Sequence, residues 1–129
     1  MLIPKQPNLR GTPLERRYFA WLGGFPCCLS QRPDGVQLAH TGDVTTGKGV
    51  GFKTGPDTVL PLHHALHAME EKGRQWFWSG ALGESPLPWA ERLFDIFEKD
   101  DREGAEILLM DMHEQADKAF LRMLFERAA

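Results

Sequence analysis

Residues 61–78 read PLHHALHAMEEKGRQWFW, and three of the five histidines of the chain, His63, His64 and His67, fall within five positions there. Leu62, Leu66 and Met69 recur at i, i+4 and i+7, the spacing of a helix that buries one side. Pro61 suits a first helical position, and Gly73 suits the stop. On such a helix His63 and His67, four residues apart, share one face about a turn apart. Two imidazoles in that geometry can meet one divalent ion. His64 is rotated by about 100° from His63 and is expected to face solvent.

The segment upstream supplies what a metal-bearing helix lacks. Val36–His40 (VQLAH) alternates and reads as a short strand. Residues 41–56 (TGDVTTGKGVGFKTGP) hold five glycines without apolar periodicity, which reads as a loop. Val59 and Leu60 form a second apolar stretch. Strand, glycine-rich loop, strand and two-histidine helix make a ββα unit around a metal, with His40 at the end of the first strand as the candidate general base. Lys48 and Lys53 stand on the loop, where glycine lets a backbone approach phosphates closely.

On either side the pattern changes. Residues 1–13 are polar and proline-rich, an extended arm, and Leu14–Leu22 reads as a short helix closed by Gly23 and Gly24. After the turn signal Glu84-Ser85-Pro86, Leu87, Ala90, Leu93, Phe94 and Phe97 repeat at helical spacing. A further long helix is marked by Ala105, Leu108, Met112, Ala116, Ala119 and Met123, with Ile107, Leu121 and Phe125 adding apolar surface beyond that stripe. The expected organisation is a basic arm and short helix over 1–24, a ββα unit over 25–83 and a helical region over 84–129. The expected class is α+β, mostly helical: a small ββα-metal unit with a C-terminal pair of helices.

The chain has 129 residues, is 42% hydrophobic and carries a formal net charge of −3. That size and composition suit one compact domain with a real core. The charge is uneven: residues 1–54 carry seven Lys or Arg against three acids, and residues 55–129 carry eight against fifteen. A basic front and an acidic back are what a chain needs if one face meets a polyanion. Residues 1–20 lack the apolar run of a signal peptide, and no stretch reaches the ~20 apolar residues of a membrane span. The two cysteines, Cys27 and Cys28, are adjacent and give no disulfide framework. The expected compartment is the cytoplasm.

Three stretches taken together, FPCCLSQRPDGVQLAHTGD, TGKGVGFKTGPDTVLPL and HHALHAMEEKGRQWFW, resemble the HNH (ββα-metal) nucleases of phages and prophages, nearest the group that includes the recombination enhancement nuclease Ref. The shared pattern is Pro-Cys, a short turn, Ala-His, a G-x-G-x-K loop, an acid, Pro-Leu, H-x-x-x-H and an aromatic pair, over about residues 25–98. The resemblance implies that His40 is the base that activates water and that Asp57 props the active loop. It implies that His63 and His67 ligate the metal and that Lys48 and Lys53 lie near the phosphates. The chain departs from the pattern in three places. Cys27 and Cys28 cannot form the paired zinc knuckles of many such nucleases. Ala39 stands where many carry an extra ligand, with Asp43 as a substitute. Pro61-Leu62 leads straight into His63, which leaves open whether His64 replaces it.

The function implied is hydrolysis of DNA phosphodiester bonds by a histidine base and one divalent ion, zinc, magnesium, manganese or nickel. DNA would be held through its phosphates without sequence preference, with Lys5, Arg10, Arg16 and Arg17 of the arm contributing. Two other readings stand beside it: a non-catalytic DNA-binding or recombination accessory protein on a degenerate HNH fold, and a helical interaction protein whose histidines are incidental. The second apolar side of the C-terminal helix offers a surface for a symmetric homodimer, or closes a single core. The sequence leaves open whether a partner such as a recombinase is required.

Overall fold

The computed structural model describes residues 11–41 and 55–128. Lys5, Arg10, Asp43, Lys48 and Lys53 lie outside the described residues.

Helix α1, Pro13–Leu22, opens with a reciprocal cap. The Thr12 hydroxyl accepts from the Glu15 amide at 3.1 Å, and the Glu15 carboxylate accepts from the Thr12 amide at 2.7 Å. Both donors would otherwise be orphans of the first turn. Strand β1, Val36–His40, pairs antiparallel with β2, Val59–His63, in a two-stranded sheet. The register sets Val36 opposite His63 and His40 opposite Val59. Thr41 extends the pairing: its amide and hydroxyl both donate to the Thr58 carbonyl, at 2.7 and 2.6 Å. A short 3-10 turn, Pro56–Thr58, leads into β2.

The expected strand placement holds for β1, while residues 42–54 of the expected loop lie outside the described residues; the helix does not begin at Pro61. Residues 61–63 belong to β2, and helix α2 spans His64–Lys72 with His63 as its N-cap. The Pro61 carbonyl accepts from the Cys28 amide at 2.9 Å, so its nitrogen also points to the edge away from β1, where a missing N–H leaves no ladder bond unmade. All five β2 residues are buried. A strand covered on both faces reads as a continuous apolar run, and that signal is confounded with a buried helical segment.

Gly73 ends α2 as expected, and α3, Arg74–Leu82, follows at once, closed by Gly83 in the left-handed region at φ 74°. Helix α4 spans Leu87–Glu98. The long helix expected after it is two: α5, Arg102–Gln115, and α6, Lys118–Ala128. Ala116 is extended at ψ 147°, which stops α5. The Asp117 carboxylate then accepts from the Phe120 amide at 3.0 Å and starts α6. The Lys118 ammonium spans the break, donating to the carbonyls of His113, Glu114 and Ala116 at the end of α5.

One buried cluster runs from Tyr18 to Leu124 and includes Leu22, Leu60, Leu62, Leu66, Phe77, Leu93, Leu109 and Met112. Tyr18 joins α1 to α4 through ring contacts with Phe94 at 4.9 Å and Phe97 at 4.8 Å. Helix α6 packs on α2 and α3, so it closes over the back of the ββα unit. Of the apolar residues expected beyond the C-terminal stripe, Leu121 is buried in this core, Phe125 is half-buried and Ile107 is exposed. The fold is α+β and mostly helical, and no helix among the described residues is long and apolar enough to cross a membrane.

Candidate functional site

The β1–β2 register sets the candidate base and one expected ligand at opposite ends of the sheet. His40 and His63 stand at opposite ends of the paired strands, four residue steps apart, or about 13 Å at the usual rise. His63 turns its Nδ1 back to accept from the Ala65 amide at 3.1 Å, the bond of an N-cap. Its ring stacks on His64 at 4.3 Å and meets Phe125 edge-on at 5.2 Å. His67, on α2, faces the sheet instead: its Nδ1 lies 2.8 Å from the Gln37 side-chain oxygen. The two rings share no partner among these contacts. The expectation that His63 and His67 lie on one helix face is therefore corrected. His63 is a strand residue whose side chain caps α2.

What surrounds His67 is a carboxylate pair. A carbonyl oxygen can only accept, so Nδ1–H is the donor in the Gln37 bond, and Nε2 is left facing the carboxylates. Nε2 lies 3.7 Å from Glu71 Oε2 and 3.9 Å from Glu70 Oε1. Glu70 is fully buried; its Oε2 accepts from the Trp78 indole N–H at 2.9 Å and faces Arg74 Nε at 3.6 Å. Its Oε1 has no hydrogen-bond partner among the described residues. Burial raises the Glu70 carboxyl above its ordinary value, against the lowering pull of Trp78 and Arg74.

The charged form of Glu70 thus costs the fold stability. A carboxyl with a raised folded-state pKa favours folding most below its unfolded value, and that advantage is lost as pH rises through the folded value. Glu70→Gln keeps an acceptor for Trp78 and removes the penalty. Thermal or urea denaturation is expected to show the variant about 1 kcal/mol more stable at pH 7, with a smaller gain at pH 4. Equal or lower stability at pH 7 would show that Arg74 outweighs the burial.

His40 ends β1 with its ring 6.2 Å from Phe19, edge-on. Desolvation is the larger cause that holds it below the ordinary histidine value; the charges of Arg74 and His67 add to this, and Glu15 opposes it. At neutral pH the ring is therefore uncharged and can accept a proton. Asp57 lies at the same end of the sheet, in the turn whose Thr58 carbonyl receives both Thr41 bonds. Its carboxylate is close enough to raise the buried Tyr18 hydroxyl further, after desolvation. The turn thus brings Asp57 to the His40 end, while Lys48 and Lys53 lie outside the described residues.

Gln37, Glu70, Glu71 and Arg74 were not among the residues expected from the sequence. The signal was present: Glu70 and Glu71 follow His67 at i+3 and i+4, the spacing applied backwards from His67 to His63. Cys27 and Cys28 are buried free thiols, with the Ser30 amide 3.4 Å from Cys27 Sγ. The hydrogen bond from Cys28 is the main cause holding Cys27 down to about 5.

Among the described residues no group of three or more His, Cys, Asp or Glu side chains converges on one point at metal-ligand distances. His67 with Glu71 gives two donors, and the unpartnered Oε1 of Glu70 lies beside them. An imidazole whose second nitrogen is fixed by a carbonyl is the usual state of a metal-ligating histidine. This donor set, one nitrogen and carboxylate oxygens, fits zinc, manganese or nickel with solvent completing the shell. No family model, curated protein or solved structure matches the chain.

Proposed function

We propose that this chain is a metal-dependent DNA endonuclease of the HNH type, of phage or prophage character. The observation that carries this reading is the ββα unit itself. An antiparallel strand pair ends β1 on His40, brings Asp57 to the same end and leads directly into α2, whose His67 turns back onto β1 through Gln37.

The division of labour follows from the environments. His40, uncharged at neutral pH, takes the proton from an attacking water. Asp57 supports the turn beside it. His67 and Glu71 would hold a divalent ion, with Glu70 next to them; such an ion supplies charge relief to a phosphate and to its leaving oxygen. Gln37 fixes the His67 ring, and Trp78 fixes Glu70. Arg74 places a cation beside the same carboxylate. This ligand set replaces the His63–His67 pair expected from the sequence.

A plasmid-nicking assay with magnesium, manganese, nickel or zinc tests the reading. Nicking that depends on the added metal is expected with at least one of them. The competing reading is a DNA-binding accessory protein without catalysis. In that case the chain would bind DNA and leave plasmid intact with every metal.

Binding itself is expected to be independent of sequence and steep in salt. With six or more phosphate contacts, affinity should fall by about 10³-fold or more between ~50 and ~200 mM salt, and by less with fewer contacts. Fluorescence anisotropy on two unrelated duplexes checks both points. Salt-insensitive binding, or none at ~50 mM salt, would remove DNA as the substrate.

A further inference from the structure

A cleft of about 700 Å³ opens on the His63 side of the sheet, between the loop before β1, the start of α2 and one side of α6. Its size is in the range of small-molecule sites. Leu121 and Phe125 form an apolar wall, and Arg32, Arg122 and Lys118 stand at the rim with one carboxylate, Glu126. Lys118 is committed to the carbonyls at the end of α5. The other two cations are not. Arg32 places its guanidinium carbon over the Phe125 ring, 3.7 Å from the centroid, and neither it nor Arg122 has a carboxylate partner among the described residues. A guanidinium stacked on a ring keeps its in-plane N–H donors for an anion.

A second observation is independent of these charges. His63 is only 6% exposed and lines the cleft. Its Nδ1 accepts from Ala65, which places the ring proton on Nε2, and Nε2 has no acceptor among the described residues. That N–H opens on the cleft, where a ligand oxygen can accept from it in place of water. The positive end of the dipole of α2, a nine-residue helix, lies beside His64, although its first two amides are bonded to the Gly35 carbonyl and to His63 Nδ1.

We propose that this cleft binds a phosphate monoester, held by Arg32 and Arg122 with the Nε2–H of His63 as the inner donor and Phe125 and Leu121 flanking the ester's organic part. A dianion suits the site better than a bridging diester phosphate, because two guanidinium groups line it. Asp34 and Cys27 lie behind His63 and act against any anion, so the guanidinium groups must carry the attraction. The residues differ from those of the His40–His67 site, and the inference does not rest on nuclease activity.

Calorimetric titration of the full chain with inorganic phosphate, a nucleoside 5′-monophosphate, the matching nucleoside, and a short DNA strand with and without a 5′-phosphate tests this. Saturable binding of the monophosphate in the micromolar to low-millimolar range is expected, with at least tenfold loss in Arg122→Ala and in Arg32→Ala. Both side chains are exposed, so both variants are expected to fold. A free mononucleotide as the source predicts that it outbinds the 5′-phosphorylated strand; a strand end predicts the reverse. In proton NMR spectra the His63 ring signals should shift on addition while those of His67 stay in place. Equal binding of nucleoside and monophosphate, no saturation below ~10 mM, or unchanged affinity in both arginine variants would overturn the proposal.

Discussion

Replacing His67 with alanine is expected to remove both the bound metal and DNA cleavage, while the fold persists. The ring is half-buried and its contacts are polar: the Gln37 oxygen on one nitrogen and two carboxylates facing the other. Its loss leaves Glu70 and Glu71 as a like-charged pair with no nitrogen donor, and that is a poor site for zinc, nickel or manganese. Nicking should fall to the level without added metal. Elemental analysis after metal incubation and desalting should find about one ion per chain in the unmodified protein and none in the variant. Glu71→Gln tests the same site from the other side and should weaken metal binding by 10-fold or more. His63→Asn completes the set. Asparagine also caps a helix, so α2 should hold, and metal content should stay near one per chain. If His63→Asn loses the metal and Glu71→Gln keeps it, the ligand pair read from the sequence is restored and the one drawn from the contacts falls.

The elements that carry the proposed site are legible in the sequence except for one boundary, and the reason is local. Val36–His40 announces itself by alternation of its residue types, with Val36 and Leu38 half-buried and Gln37 exposed between them. The segment from Val59 to His63 is covered on both faces and carries no period, so Pro61 reads equally well as a helix start. A shift of the helix start by three residues moved His63 from a helix face to a strand end, and with it half of the expected ligand set. His40 and His67 kept their positions because neither depends on that boundary. The carboxylates escaped notice for a different reason. A glutamate on an amphipathic helix is usually solvated, and nothing in residues 64–72 marks Glu70 as buried; that follows from Trp78 on α3 folding over it. The break between α5 and α6 was hidden because Ala116 and Ala119 continue the apolar stripe across it, and the stop is made by Asp117 and Lys118, two residues that also suit a helix surface.

His40→Ala should give the opposite pattern from His67→Ala: metal retained, DNA affinity nearly unchanged, and cleavage reduced by ~10²–10⁴-fold, the usual scale for losing a positioned general base. The geometry supports a base and not a ligand. His40 ends β1 at the same end of the sheet as Asp57, with its ring against Phe19, and the contacts of His67 Nε2 are Glu70 and Glu71. A base must be uncharged when it acts, and desolvation, aided by Arg74 and His67, holds His40 below its ordinary value of about 6.5. The sign follows directly. Lowering the pKa extends the uncharged form to more acidic pH, so the acid limb of kcat/KM should have its midpoint below 6.5. Arg74→Gln removes one of the lowering charges and should move that midpoint upward without changing the plateau by more than a few-fold. The measurement is paired: metal content and nicking rate for His40→Ala, and the pH profile for the unmodified chain and Arg74→Gln. If His40→Ala loses its metal with its activity, His40 is a ligand and the base lies elsewhere. If it cleaves at the unmodified rate, the HNH assignment fails, because no other histidine among the described residues stands at the Asp57 end of the sheet.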